Sequence, residues 1–180
     1  SVYTRSTVTG TWTYKDQPLF STGDMRKIRW DGTHYLAAGR YNFSAGTGTP
    51  AFSHGTTSTN WGSAIQTGTV VNGHNNDIAW DGAGKYVVVG DDGVLATATS
   101  ISGSWTSRTS SFGTTNIQRA VYGNSTWVAA GVSGKVASST NQTSWTQRTS
   151  TFGTNNIADV TYGNGLFAIV GAGGHIATST

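Results

Sequence analysis

Residues 104–140 return at 144–180 with an offset of 40, and 19 of the 37 aligned positions are identical. A fixed period of this size marks an array of supersecondary units, none of which can bury its apolar face alone. Two diverged copies lie upstream. Trp12, Trp61, Trp105 and Trp145 recur at steps of 49, 44 and 40, and Gly39, Gly90, Gly131 and Gly171 at steps of 51, 41 and 40. The 180 residues therefore divide into repeats of approximately 11–59, 60–103, 104–143 and 144–180 within one domain, with 1–10 as a partial blade strand.

Each copy consists of short apolar runs separated by turn residues, the pattern of small antiparallel strands. The first strand carries Ile28 and Trp30, Ile78 and Trp80, Ala120 and Tyr122, or Val160 and Tyr162. It ends in Asp31-Gly32, Asp81-Gly82, Gly123-Asn124 or Gly163-Asn164-Gly165, residues that accept the positive φ of tight hairpins. The second strand reads YLAAG, YVVVG, WVAAG or LFAIVG and is expected to be buried on both faces. A third strand alternates apolar residues with Thr or Ser, and a fourth begins with Trp. No helix is required. The expectation is an all-β fold, a β-propeller of about four blades with four antiparallel strands each, in which neighbouring sheets stack around an axis. Trp12, Trp61, Trp105 and Trp145 are read as wedge core; a row of sugar-stacking platforms is the alternative.

The turns before these tryptophans read STVTGTW, TSISGSW and STNQTSW. They resemble the Asp-box, or bacterial neuraminidase repeat, of sialidase-like propellers and of Trp-Thr repeat proteins of bacterial exteriors and phage particles. The usual Asp is replaced by Val8, Ile101 and Asn141, so these turns are expected to be held by Ser and Thr hydroxyls and backbone bonds. The resemblance implies a propeller on a cell or virion surface. Sialidase chemistry, by the same resemblance, needs an arginine triad and a Tyr activated by Glu, and the chain contains no Glu. Arg108 and Arg148 occupy one repeat position, which implies a structural outer-strand role.

Chemistry is sparse elsewhere. Cysteine is absent, which removes thiol catalysis, disulfides and Cys-ligated zinc. A paired-carboxylate glycosidase would have to use Asp alone. Asp31 and Asp81 read as turn residues in equivalent slots, and Asp91-Asp92-Gly93 as a further turn. His34, His54, His74 and His175 lack metal-ligand spacing and read as solvated loop residues. No cofactor motif is present, and the chain reads as non-enzymatic. A net charge of +3 with one short basic stretch at 25–29 gives no nucleic-acid footprint. No apolar run approaches the ~20 residues of a membrane span.

Two constellations emerge from aligning the copies. Lys27, Asp77, Arg119 and Asp159 occupy one slot with alternating sign, which suggests a channel ring of ion pairs; chance alternation is the competing account. The first repeat carries an insertion at 41–50, where Tyr41, Phe43 and Ser44 beside His54 would offer a glycan or protein contact; a longer hairpin is the plainer account.

The strand count leaves the last repeat without an outer strand, while residues 2–7 and the strand from Trp12 stand before the first complete blade. Trp12 could close a ring, the chain could belong to a longer array, or the spare strand could pair with another subunit. The functional expectation is an extracellular or virion-surface structural and adhesion module. Its partners would be other protein subunits through end strands or blade edges. A carbohydrate-binding lectin that takes surface glycans is the alternative, and a glycoside-active enzyme the third reading.

Overall fold

The computed structural model describes residues 24–44, 47–56, 65–66 and 73–180. They form four antiparallel sheets in chain order. Sheet A contains β1 (Asp24–Trp30), β2 (Tyr35–Ser44), β3 (Thr47–Gly55) and β4 (Ile65–Gln66). Sheet B contains β5 (Asn75–Trp80), β6 (Tyr86–Gly90), β7 (Leu95–Ala98) and β8 (Thr106–Ser107). Sheet C contains β9 (Ile117–Gly123), β10 (Thr126–Gly131), β11 (Val136–Ser139) and β12 (Thr146–Arg148). Sheet D has β13 (Ile157–Gly163), β14 (Leu166–Gly171) and β15 (Ile176–Ser179). This is the expected propeller, with a final blade of three strands among the described residues.

Burial explains the stacking. Tyr86 and Val88 point back at Leu36 and Ala38 of sheet A, while Val87, Val89 and Leu95 point forward at Ala120, Trp127 and Ala129 of sheet C. Val128, Ala130 and Val136 repeat the forward face against Val160, Phe167 and Ile169 of sheet D. Because strand side chains alternate between faces, one middle strand supplies both neighbours, and it is apolar throughout in sheets B and C. In sheet D the same strand is buried only toward C. Val170 and Ile176, which point away from C, are 41% and 74% exposed. Ile28 and Trp30 mirror them on the outer face of sheet A, at 59% and 52%.

The repeated glycine has a steric cause. A Cβ on Gly39, Gly90, Gly131 or Gly171 would lie 2.0 to 2.2 Å from the carbonyl oxygen of Asp24, His74, Asn116 or Asn156. Each glycine faces a bulge in the first strand, where the pairing register shifts by one residue. A single 3-10 turn follows it in sheets B to D, at Asp91–Gly93, Val132–Gly134 and Ala172–Gly174.

The tryptophans divide. Trp145 is buried in the B–C core, where its indole N–H donates to the Gln142 carbonyl at 3.0 Å. Trp105 is half-buried against the A–B core, and Trp12 and Trp61 lie outside the described residues. The largest fully buried wedge is instead Trp127, on a middle strand. Arg108 and Arg148 each donate from Nε to a third-strand hydroxyl, Thr97 at 3.0 Å and Ser138 at 2.8 Å. The turn before Trp145 departs from the expectation of hydroxyls alone: Asn141 Oδ1 accepts the N–H groups of Thr143 and Ser144 at 2.9 Å each.

Candidate functional site

The polar side chains gather at the A–B junction in two clusters. At the β1–β2 turn Asp31 accepts the backbone N–H groups of Thr33 at 2.8 Å and His34 at 2.6 Å, and the Tyr86 hydroxyl at 2.9 Å. His34 Nδ1 lies 3.3 Å from the same carboxylate, and the His54 ring stands edge-on to His34 at 5.3 Å. Burial works against the Asp31 charge, but the His34 and Thr33 N–H groups and the Tyr86 hydroxyl outweigh it and hold the carboxyl below its usual range. Burial and the Asp31 carboxylate push the Tyr86 hydroxyl well above the usual phenol range. Burial, reinforced by His34, depresses His54.

The second cluster centres on His74, which the sequence suggested would be solvated and which is buried. It occupies the bulge slot that holds Asn116 and Asn156 in the next two sheets. There the asparagine side chain accepts a backbone N–H from the preceding blade's 3-10 turn, Asp92 or Ser133, each at 3.0 Å. His74 instead reaches Asp24 of sheet A through Nε2 at 3.2 Å and Asp91 through Nδ1 at 3.0 Å. Arg26 joins through Asn76 at 2.7 Å and Asp91 at 3.6 Å, and Arg40 through Asp24 at 3.3 Å. The hydrogen bond from His74 leads the effects that hold the Asp24 carboxyl below its ordinary value.

Both His74 nitrogens face carboxylates, His34 Nδ1 is turned toward Asp31, and the Asp31 oxygens are occupied by donors. Among the described residues no group of three His or Asp side chains is placed to hold a metal ion.

The four members of the suggested charge ring are not a continuous circuit. Asp77, fully buried, takes both Nε and Nη2 of Arg29, at 3.0 and 2.7 Å, so its cation is Arg29 and not Lys27. Asp77 also accepts the backbone N–H groups of Ile78 at 2.9 Å and of Ala120, in sheet C, at 3.2 Å. It thereby ties three sheets together. Burial opposes the Arg29 charge, but Asp77, aided by the more distant Asp159, holds it above the ordinary guanidinium range. Arg119 and Asp159 approach to 3.7 Å across the C–D junction.

The suggested contact patch is also dispersed. The insertion lengthens the β2–β3 hairpin: Tyr41 is paired with Thr49 and Ser44 with Thr47, whereas His54 is paired with Leu36. Five strand residues separate Leu36 from Tyr41, about 17 Å of strand, so His54 belongs with Asp31 and His34 while Tyr41, Phe43 and Ser44 lie toward the tip. Nothing in the local sequence identified the two A–B clusters, because each joins residues about 50 positions apart. The repeat alignment did carry one signal: Asp24, His74, Asn116 and Asn156 share a slot.

A second feature lies between sheets C and D. A cleft of about 580 Å³ opens there, walled by Val128, Val136, Phe167, Ile169 and Ala177 and rimmed by hydroxyls such as Ser138, Thr149 and Thr178. One side of it is β15, which has no partner strand beyond it among the described residues.

No family model matches the sequence. No curated protein matches it either. Among solved structures the chain is similar to one described as "YCF48 bound to D1 peptide", with a TM-score of 0.64 and 12% identity over 88% of this chain. The chain spans about half the length of that neighbour, 50% of which is covered. The likeness is one of fold.

Proposed function

We propose that this chain is a non-catalytic assembly module, a propeller segment that holds proteins together on the exterior of a cell or virion by accepting an extended polypeptide. The observation that carries the reading is the apolar cleft between sheets C and D, bordered by β15, which has no outer partner strand among the described residues. An unpaired strand edge supplies main-chain hydrogen bonds to an incoming segment, and an adjacent pocket supplies side-chain selectivity. Two further points support it. The buried titratable groups are occupied by structural partners, and the neighbour of like fold is described as holding a peptide. The exterior placement rests on composition, with only 11% charged residues, and on the resemblance of the turns.

The test is selection of displayed peptides, with amide exchange of the chain read with and without the selected sequence. Binding should slow exchange at Ile176–Ser179, and Thr178→Pro, which removes a β15 donor, should weaken it by at least tenfold. Peptides that bind without protecting β15 would overturn the reading. The hydroxyl rim of the cleft favours a carbohydrate as the second reading. Glycan-array binding with no peptide selected would support that one instead.

A further inference from the structure

We propose that His34 and His54 form a two-histidine site for a divalent transition-metal ion at the A–B junction, with the Asp31 carboxylate behind His34. The site lies in the first sheet and does not depend on the edge-binding reading.

Comparison of the repeats shows that packing does not call for an imidazole at either position. His34 stands immediately before the second strand, in the slot held by Lys85, Thr126 and Leu166 in sheets B, C and D. His54 pairs with Leu36, whereas the equivalent third-strand residues Thr97, Ser138 and Thr178 pair with Val87, Val128 and Ala168. His34 and Leu36 are two residues apart and share a face, and a diagonal neighbour across the strand pair is within reach of a long side chain. The two departures from the repeat therefore meet in space, ring edge to ring face at 5.3 Å between centroids. The ring pair that the repeat does carry is a different one: Trp30–Tyr35, Tyr122–Trp127 and Tyr162–Phe167, at 4.6, 4.7 and 4.8 Å, join first strand to second.

The separation suits a shared ion. With a metal–nitrogen distance of about 2.1 Å the ion lies about 3.2 Å from the ring centre, so two imidazoles at a tetrahedral angle have centroids about 5.2 Å apart.

A ligating imidazole gives one nitrogen to the ion and the other to a partner that orients the ring, commonly a carboxylate. His34 has that partner. Its Nδ1 lies 3.3 Å from Asp31 Oδ2, which places Nε2 on the far side of the ring. The carboxylate is fixed in turn, by the Thr33 and His34 N–H groups on Oδ1 and by the Tyr86 hydroxyl of sheet B on Oδ2 at 2.9 Å. Asp81 holds the equivalent turn of sheet B in the same way, with Oδ1 accepting the Ala83 and Lys85 N–H groups at 2.8 and 2.9 Å. There the residue in the His34 slot is a lysine, so the turn recurs and the ligand does not.

Two imidazole nitrogens, with water in the remaining positions, select Cu2+, Ni2+ or Zn2+ over Mg2+ and Ca2+, which take oxygen ligands. The His34 side chain is 26% exposed and gives the ion a path from solvent.

The test is titration of Cu2+ alone, the strongest binder in the divalent series, into the 180-residue chain. One equivalent should bind, its paramagnetic resonance spectrum should carry the hyperfine pattern of two imidazole nitrogens, and Zn2+ should compete for the same equivalent. His34→Thr and His54→Thr each install a residue that another sheet carries in that slot, and each should weaken binding at least tenfold. His175→Thr should leave it unchanged. Absence of a saturable equivalent, or a site that persists undiminished in both histidine variants, would overturn the inference. So would a spectrum with fewer than two imidazole nitrogens, which is read on the wild type and needs no variant to fold.

Discussion

Gly131→Ala measures the steric premise of the repeat. The new methyl carbon would lie 2.2 Å from the Asn116 carbonyl oxygen and 2.9 Å from Ile117 Cα, where about 3.5 Å is comfortable. The strands must therefore open by roughly 1 Å at the bulge. The same carbonyl accepts the Val132 N–H at 3.0 Å and anchors the 3-10 turn, so opening the bulge also strains that bond. Overpacking at about 1–3 kcal/mol and a weakened hydrogen bond at about 0.5–1.5 give a loss of about 1.5–4.5 kcal/mol. For a chain of this size that lowers Tm by about 3–18 °C. Urea unfolding followed by tryptophan fluorescence reads it, with m unchanged if only the native state has been altered. Gly90→Ala, whose Cβ would lie 2.0 Å from the His74 carbonyl, should cost as much. Losses below about 0.5 kcal/mol at both positions would show that the glycines are not there to admit the opposing backbone.

Three further outcomes follow from the packing. Trp145→Ala removes a buried indole and its bond to Gln142, and calorimetry should record a loss of about 3–5 kcal/mol. Arg29→Gln leaves the fully buried Asp77 carboxylate without its cation; because Arg29 is itself 37% exposed, the loss should fall at or below the low end of the ~3–5 kcal/mol typical of a broken buried pair, and Asp77→Asn in the same chain should recover part of it. Asp31 has a folded-state pKa below its ordinary 3.8, so its stabilisation is present above that value and is lost as pH falls through the lowered one. Asp31→Asn should therefore cost about 1–3 kcal/mol at pH 7, and its deficit against wild type should shrink below about pH 4 in denaturant titrations across pH.

The blade was legible because its determinants are local and repeated. Turn residues at the hairpins, apolar middle strands and the glycine at a fixed interval all reflect one unit solved four times. What joins the units was less legible. The partner of Asp77 is Arg29, two residues beyond Lys27 on the same strand, and alternation of charge in one slot carries no information about that offset. Asp31 read correctly as a turn residue, yet its burial depends on Tyr86, 55 positions away. His74 was missed for the same reason: its partners come from another blade and from a later turn. The hairpin at 41–50 was legible as an insertion, but the patch proposed on it required His54 to stand at the wrong end of a ten-residue strand.

The position of Asp77 bears on the order in which the molecule comes apart. One carboxylate without solvent contact grips the guanidinium of the first sheet and an amide of the third from its place in the second, whereas the last sheet is held, besides its apolar face, by a wide, partly exposed Arg119–Asp159 contact and the exposed Ser133–Asn156 hydrogen bond. Free energies of local opening differ across a structure in step with such constraints. Under load, or in native-state exchange, residues 157–179 should peel away as a separate unit while the three sheets before them yield together.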